Sequence, residues 1–248
     1  MKKFITKNRL NNLYVIVFWL IIWQFVSIIL NQEILFVSPF KVLKVTFLNL
    51  KTQEFYISVL STVIKIIAGY IIGVIIGVFF AIISYKFNIL KKLIYMPIVF
   101  IKSVPVVSFI ILLLFFMSSG KISVFISMLM VFPIIYLNVY EGLDNVDKSF
   151  INMALIYRVK RKNMINYIYF DAIKPFLKSA AKLSTGLAFK SGIAAEVIGL
   201  PKYGIGTMIY NSKLYLDTAN LFSYTLVAVI LSYFFEKIII RLQKEILK

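Results

Sequence analysis

The stretch Glu141–Pro175, EGLDNVDKSFINMALIYRVKRKNMINYIYFDAIKP, is the part of the sequence on which the prediction of the fold depends. Up to Asp171 it holds five of the 28 Lys and Arg residues and four of the ten acidic residues. So many charges are too costly to place inside a bilayer. The stretch has no Gly or Pro from Asn145 to Lys174, so it can form helices. It is therefore predicted to be a long, basic, helical loop between two apolar segments.

The rest of the chain is dominated by long apolar runs. The chain has 248 residues, of which 61% are hydrophobic, and a mean hydropathy of +0.91. Soluble domains are nearer 45–50% apolar. Long uncharged runs indicate membrane-spanning helices rather than a β-barrel. The sequence predicts one all-α membrane domain over residues 1–248 with six transmembrane helices, at about 13–30, 57–85, 93–117, 122–140, 172–199 and 221–240.

The distribution of positive charge predicts the orientation. The formal net charge is +18, and 18 Lys and Arg residues fall on one side of the predicted spans against six on the other. Cytoplasmic loops retain Lys and Arg, so both termini and the 141–175 loop are predicted to be cytoplasmic, in a bacterial cytoplasmic membrane. The same rule accounts for the basic charge without nucleic-acid binding.

The composition also limits the chemistry. The sequence has no Cys and no His, which excludes disulfides, thiol nucleophiles and imidazole bases. No paired carboxylates stand at a convincing catalytic spacing, so a membrane enzyme is disfavoured and no metal or other cofactor is expected on this chain. A passive channel or pore is one function open to a helical membrane protein, although no selectivity element is visible in the sequence.

Glycines and prolines predict local features of the spans. Gly69, Gly73 and Gly77 form a doubled small-xxx-small pattern that allows close helix packing. Pro97 and Pro105 should break the third span, because each proline removes a backbone donor. A short amphipathic helix is expected after Ser38, outside the membrane.

The 141–175 loop has the pattern of a short amphipathic helix. The apolar residues Phe150, Met153, Ala154 and Tyr157 follow the spacing of one helical face, and a cationic turn, Arg158–Lys162, comes next. Such a helix can dock on a protein partner, lie on anionic lipid, or do both. A rigid helix in this loop can pass a displacement to the spans on either side.

Five charged residues fall within predicted spans: Lys65, Lys102, Lys182, Lys190 and Glu196. Buried charges are costly, which makes them functional candidates, although lysines near span ends can reach the interface. Lys182, Lys190 and Glu196 are the predicted pathway residues, with Lys190 the best candidate for a cation that faces solute. Alternatively, Glu196 braces the external turn Gly199–Gly206 or pairs with a Lys of a second copy. The excess of cations favours an anionic or electron-rich solute.

Three segments of the sequence resemble the permease subunits of ABC importers, in particular the nitrate, sulfonate and taurine group. Asn152-Met153-Ala154, with Arg158 and Pro175, resembles the family's EAA loop, E-A-A followed by Gly and then I-x-L-P. Phe36–Pro39 is similar to the L-P-S-P motif of the same family. Ala194–Gly199 with Gly204–Gly206 resembles its A-A-E-x-I-G…G-x-G segment.

The loop departs from the pattern at Asn152, where the family has Glu, at Arg158, where it has Gly, and at Asp171, where it has Pro. The family's glycine allows a turn between two short helices. Arg158 therefore predicts either a helix that continues further along the chain or a partner protein whose surface has adapted to this residue.

The resemblance implies an importer that works with several partners. These are a second copy of the permease or a close paralogue, a dimer of ATPase subunits, and an external binding protein or lipoprotein that delivers solute. The residues expected to contact the ATPase are Phe150, Asn152, Met153, Ala154, Tyr157 and Arg158. The chain lacks G-x-x-x-x-G-K-[ST], so ATP and magnesium are expected only on the ATPase. Relatives also serve thiamine precursors and riboflavin, so the solute stays open, and export is a further possibility.

Overall fold

The structure is a computed structural model that describes the backbone of residues 2–246 and the side chains of residues 14–243 and 245. Within those residues it is all helical, with no β-strand. The predicted cytoplasmic charges of Met1–Asn12 belong to side chains outside the described set. The helices are α1 Lys2–Leu30, α2 Pro39–Asn49, α3 Gln53–Lys86, α4 Asn88–Ser103, α5 Val106–Leu114, α6 Ser119–Asp144, α7 Lys148–Ile156, α8 Arg161–Met164, a π-helix Ile165–Tyr169, α9 Phe170–Gly199, α10 Ile205–Leu214 and α11 Thr218–Ile246.

Several predicted local features are present. Helix α2 begins at Pro39, and the Ser38 side chain accepts a hydrogen bond from the Lys41 backbone N–H, as expected for an N-cap. The third apolar run breaks at Pro105, where α4 and α5 meet at 100°. By contrast, α4 continues through Pro97, so the prediction of a break there was wrong. Helix α10 was not predicted, because its residues are a mixture of polar and apolar types.

Two helices in the described part of the chain are long and apolar enough to cross a membrane by themselves, α3 and α6. The α4–α5 pair would make a third if it forms one broken span. The described apolar part of α1, Tyr14–Leu30, is shorter. These helices identify a membrane protein, while the six-span count stays a prediction.

The chain forms two compact units, of which the first comprises Met1–Ile57 and Met208–Val227. Its apolar core is built from Val37, Val42 and Ala219, with Trp23 and Phe222 packed against them. Polar side chains tie α2 to the start of α11: Thr46 Oγ1 lies 2.9 Å from Ser223 Oγ, and Asn49 Nδ2 donates to Asn220 Oδ1 at 2.8 Å. Trp23 Nε1 donates to the Val37 carbonyl at 2.9 Å.

The second unit, Ser58–Thr207 and Ala228–Lys248, is built around the packing of α6 against α9. Small residues on α9 allow the two helices to approach closely. They recur at helical spacing and are buried: Ala181, Thr185, Ala188, Gly192 and Ala195. Ser123 Oγ donates to the Gly192 carbonyl at 3.0 Å, and Ser127 Oγ donates to the Ala188 carbonyl at 3.2 Å. Serine hydroxyls thus satisfy their hydrogen bonds across a closely packed helix pair.

The three glycines of α3 lie against α6. A Cβ added at Gly69 would lie 2.8 Å from Ser127 Cβ, one at Gly73 would lie 2.8 Å from Val131 Cβ, and one at Gly77 would lie 2.8 Å from Ile135 Cβ. Contacts this short leave no room for a side chain, and the glycines are four residues apart along one stripe of α3. Because these glycines have no side chain, α3 and α6 can pack closely.

Candidate functional site

The segment between α6 and α9 covers residues 145–169, since α6 continues to Asp144 and α9 begins at Phe170. The predicted loop, 141–175, therefore also includes the last residues of α6 and the first residues of α9. Helix α7 begins at Lys148, two residues before the predicted Phe150. Asp147 is its N-cap, and its carboxylate accepts hydrogen bonds from the Ser149 hydroxyl and from the Ser149 backbone N–H, at 2.8 Å for the latter. These hydrogen bonds lower the pKa of Asp147 below its usual range.

The end of α7 shows how the loop departs from a continuous helix. Tyr157 caps the helix, and Arg158 has a φ of +51°, in the left-handed region. The Val159 N–H donates to the Ala154 carbonyl at 2.9 Å, which closes the turn. Of the two alternatives for Arg158, the helix that runs on further is therefore wrong, and an adapted partner stays a prediction. Arg158 adopts the conformation that glycine adopts at lowest cost, and a residue with a Cβ loses roughly 1–2 kcal/mol there.

The side chains predicted to dock differ in their exposure. Phe150, Met153 and Tyr157 are 58%, 49% and 76% exposed, whereas Ala154 is only 6% exposed. Ala154 is therefore buried within the chain, whereas its three predicted companions are available to a partner. Asn152 and Arg158 are exposed as well. The segment thus presents large apolar side chains to solvent, together with polar and cationic ones, which is the usual mark of an interaction surface.

A second cluster of candidate residues surrounds the carboxylate of Glu196, which is completely buried near the end of α9. Thr62 Oγ1 donates to Glu196 Oε2 at 2.7 Å, and the Gly206 backbone N–H donates to the same oxygen at 3.2 Å. Lys65 Nζ lies 3.3 Å from Glu196 Oε1 and forms an ion pair with it. A buried carboxylate with three donors, one of them cationic, has the partners that its burial requires.

The partners of Glu196 also hold the turn between α9 and α10. Lys65 Nζ donates to the Tyr203 carbonyl at 2.8 Å, and Ser61 Oγ donates to the same carbonyl at 3.1 Å. The Ile205 backbone N–H donates to Thr62 Oγ1 at 2.8 Å. Three residues of α3 therefore fasten the turn and the carboxylate together. We call Glu196, Thr62, Lys65 and the backbone of residues 203–206 the Glu196 clamp.

Two glycines are required by the geometry of the clamp. A Cβ added at Gly204 would lie 2.6 Å from Glu196 Oε2, and one at Gly206 would lie 2.6 Å from the Ile193 carbonyl oxygen. Both distances are far below van der Waals contact. The glutamate and the two glycines of the A-A-E-x-I-G…G-x-G pattern thus depend on one another sterically and by hydrogen bonding.

The remaining charges predicted within spans are exposed. Lys182 and Lys190 lie on the side of α9 that faces away from α6, and Gly186 between them has open space around it. Lys102, on α4, is also exposed. Lys190 is exposed whereas Glu196 is buried, so the two side chains have different surroundings on the same helix. No group of three potential metal-ligating side chains occurs in the described part of the chain.

Sequence reasoning missed two sets of residues. Thr62 and the pairing of Lys65 with Glu196 join positions more than 130 residues apart, and no local pattern reports such a contact. The small residues of α9 that face α6 recur every three or four residues, and this spacing is a sequence signal of close helix packing.

Comparisons with known proteins place the chain among membrane transport proteins. Residues 73–246 match the model of the family described as the binding-protein-dependent transport system inner membrane component. A putative aliphatic sulfonates transport permease protein of Bacillus subtilis, SsuC, is 24% identical over 117 residues, which are 47% of this chain and 42% of that protein.

Two other relatives match over more of their length. A probable ABC transporter permease protein of Brucella melitensis is 24% identical over 178 residues, 71% of each chain. The nitrate import permease protein NrtB of Synechococcus elongatus is 22% identical over 205 residues, which are 78% of this chain and 73% of that protein.

Proposed function

The chain belongs to the family of binding-protein-dependent transport system inner membrane components, and from that premise we propose that it is the membrane subunit of an ATP-driven importer of a small solute. In this proposal the chain spans the membrane six times, with both termini and residues 145–169 in the cytoplasm. The excess of Lys and Arg on that side supports the orientation. Six spans require α1, α9 and α11 to cross as well as α3, α6 and the bent α4–α5 pair.

One observation carries the proposal that residues 145–169 dock an ATPase. Phe150 and Met153 lie on a helix that is only nine residues long, and Tyr157 caps its end; all three side chains are large and exposed. Short helices of this length need outside contacts to be stable. A protein cleft that covers these side chains would remove apolar surface from water and would hold α7 rigidly. Asn152 and Arg158 lie on the same exposed segment and supply the polar edge of the contact.

The solute path is proposed along the exposed side of α9. Lys182 and Lys190 lie there with Gly186 between them, and the opposite side of α9 is occupied by α6. Glu196 has no exposed surface, so the path is assigned to the two lysines and Glu196 to the clamp. Two cations favour an anionic or electron-rich solute.

Relatives named for aliphatic sulfonates and for nitrate support this solute class, with a thiamine precursor or riboflavin as the alternative. A second copy of the chain would close the other side of the path. An external binding protein would select the solute, and ATP with magnesium would bind only to the ATPase.

The docking proposal is tested with the chain co-expressed with its ATPase. Met153→Asp combined with Tyr157→Asp should abolish co-purification of the ATPase and solute-dependent ATP hydrolysis, because both carboxylates would have to be buried in the contact. The thermal unfolding of the permease alone should be unchanged, since both side chains are exposed. Ala154 is unsuitable for this test because it is buried.

Tyr215→Asp provides the matched control. Tyr215 is 78% exposed, as Tyr157 is 76% exposed, but it lies in the predicted external segment between α10 and α11. Its substitution should leave ATPase binding intact. Equal co-purification for both variants would contradict the docking role, and solute uptake that persists with an inactive ATPase would indicate a passive pore instead.

A further inference from the structure

An apolar groove lies beside the 145–169 segment. It has a volume of about 840 Å³, within the range of about 300–1,000 Å³ typical of ligand sites. Its walls come from the last turns of α3 and α6, from residues 155–169, and from the first turns of α9. The apolar side chains that line it include Val78, Ile82, Leu143, Leu155, Ile173 and Leu177. Ile82 and Leu155 are largely exposed, so the described chain itself does not cover the groove.

Two cations stand at the groove, Lys86 from the end of α3 and Arg161 from α8. Among the described residues that line it, none is acidic. A purely apolar occupant would leave both cations without a partner, and a soluble anion would leave the apolar walls bare. The lining therefore fits a molecule with a long apolar part and an anionic end.

The order of side chains along two walls matches the order of layers in a membrane. On the α3 wall, Val78 and Ile82 are followed by Tyr85 and then Lys86, a rise of about 12 Å over eight residues. Apolar, aromatic and cationic side chains follow one another from the bilayer core to the headgroup level.

The second wall repeats this order in the reverse chain direction. It runs from Leu177 and Ile173 of α9 through Tyr169 to Arg161. The rings of Tyr85 and Tyr169 meet with centroids 6.2 Å apart, so the aromatic layer is continuous between the two walls. The groove thus presents apolar, aromatic and cationic side chains in the same order as the acyl, interfacial and headgroup parts of a phospholipid.

We propose that the groove binds an anionic phospholipid, with an acyl chain along the apolar walls and the phosphate at Lys86 and Arg161. Basic pockets between transmembrane helices on the cytoplasmic side are known sites for anionic headgroups. The lipid would join residues 155–165 to the end of α3 and would steady the segment proposed to dock the ATPase. The inference rests on the proposed function only for the leaflet from which the lipid comes.

Native mass spectrometry of the purified full-length chain tests the site. The chain is released from detergent after incubation with phosphatidylglycerol or with phosphatidylethanolamine that carries identical acyl chains. Each cation near the headgroup contributes about 1 kcal/mol. The chain should therefore retain one phosphatidylglycerol roughly 30-fold more strongly than one phosphatidylethanolamine. Lys86→Glu combined with Arg161→Glu should remove that preference, and Lys86→Arg combined with Arg161→Lys should keep it.

Lys92→Glu combined with Lys162→Glu is the matched control, because it changes the net charge equally at exposed cations that do not line the groove. Leu155→Asp should reduce retention of both lipids by placing a carboxylate on the apolar wall. Three outcomes would overturn the inference: equal retention of the two lipids, equal loss in both charge-reversed pairs, or loss of the lipid when the ATPase is bound. Since neither ATPase nor solute is needed for the main measurement, its failure is separate from a failure of the proposed transport function.

Discussion

The Glu196 clamp and the 145–169 segment are two parts of the same compact unit that contain motif residues, and they use those residues in opposite ways. In the clamp, Glu196, Gly204 and Gly206 contact one another, and the carboxylate is completely buried. In the 145–169 segment, Asn152 and Arg158 are exposed. The clamp retains the pattern of the resembling family, and the segment departs from it. Residues that contact each other are constrained by the fold itself, whereas exposed residues are constrained by whatever binds to them.

The largest effect is expected from Glu196→Ala. The substitution leaves the Thr62 hydroxyl, the Gly206 N–H and the Lys65 ammonium without their acceptor, and loss of one partner of a buried ion pair costs about 3–5 kcal/mol. Unfolding of the purified chain in detergent, followed by circular dichroism, measures the loss. The unfolding midpoint of Glu196→Gln should lie between those of the unsubstituted chain and Glu196→Ala, since glutamine keeps an acceptor but loses the charge. An unchanged unfolding midpoint for Glu196→Ala would show that the clamp does not stabilise the fold.

Gly204→Ala should reduce the free energy of unfolding by about 1–3 kcal/mol, because the added Cβ would overlap Glu196 Oε2 at 2.6 Å. In a Glu196→Ala background the same substitution should cost less, since the obstructing carboxylate is absent. Gly120→Ala is the control, because a Cβ there meets nothing within 4 Å. Strictly additive effects of the Gly204 and Glu196 substitutions would contradict the steric link between them.

A smaller effect of opposite sign is expected in the 145–169 segment. Arg158→Gly removes the cost of a left-handed conformation, about 1–2 kcal/mol. Glycine also loses more conformational entropy on folding, which costs about 0.5–1 kcal/mol, so the net stabilisation should be about 0.5 kcal/mol. Hydrogen exchange of the α7 amides measures it. Lys160→Gly is the matched control: Lys160 has a φ of −59°, so glycine gains nothing there and should weaken the segment. Similar exchange in the two variants would rule out strain at Arg158.

The smallest effect concerns the N-cap of α7. The pKa of Asp147 is lowered by the hydrogen bonds from Ser149, so the ionised carboxylate stabilises α7 at pH values above the ordinary pKa of an aspartate. This contribution is lost as the pH falls through the lowered pKa of the folded state. The Ser149 and Phe150 amides should therefore exchange faster in acid, with the rate corrected for intrinsic exchange. Asp147→Asn should remove this dependence, and Ser149→Ala should move it to higher pH. A flat profile in the unsubstituted chain would contradict the cap.

A feature could be predicted where the residue types along the chain specify it, and could not where a contact overrides their intrinsic preference. The cap of α2 at Ser38, the break at Pro105 and the close packing of Gly69, Gly73 and Gly77 could be read from neighbouring residues. The turn at Arg158 could not, because intrinsic preference favours a helix there and the closure of the turn by Ala154 and Val159 overrides that preference. The burial of Ala154 was missed for the same reason, since helical spacing assigns residues to a face but does not say what that face contacts.

The sequence by itself determined that this is a helical membrane protein with a basic loop between two apolar segments, because hydropathy and charge act residue by residue. Its motif residues also indicated the transport family to which the chain belongs. Only the tertiary structure decided that Lys65 and Thr62 hold Glu196, that Arg158 turns the chain where the family has glycine, and that Lys86 and Arg161 border one apolar groove. The clamp and the groove join residues far apart in the chain, at distances that packing alone fixes. The turn at Arg158 is local, but it goes against the helical preference of its residues.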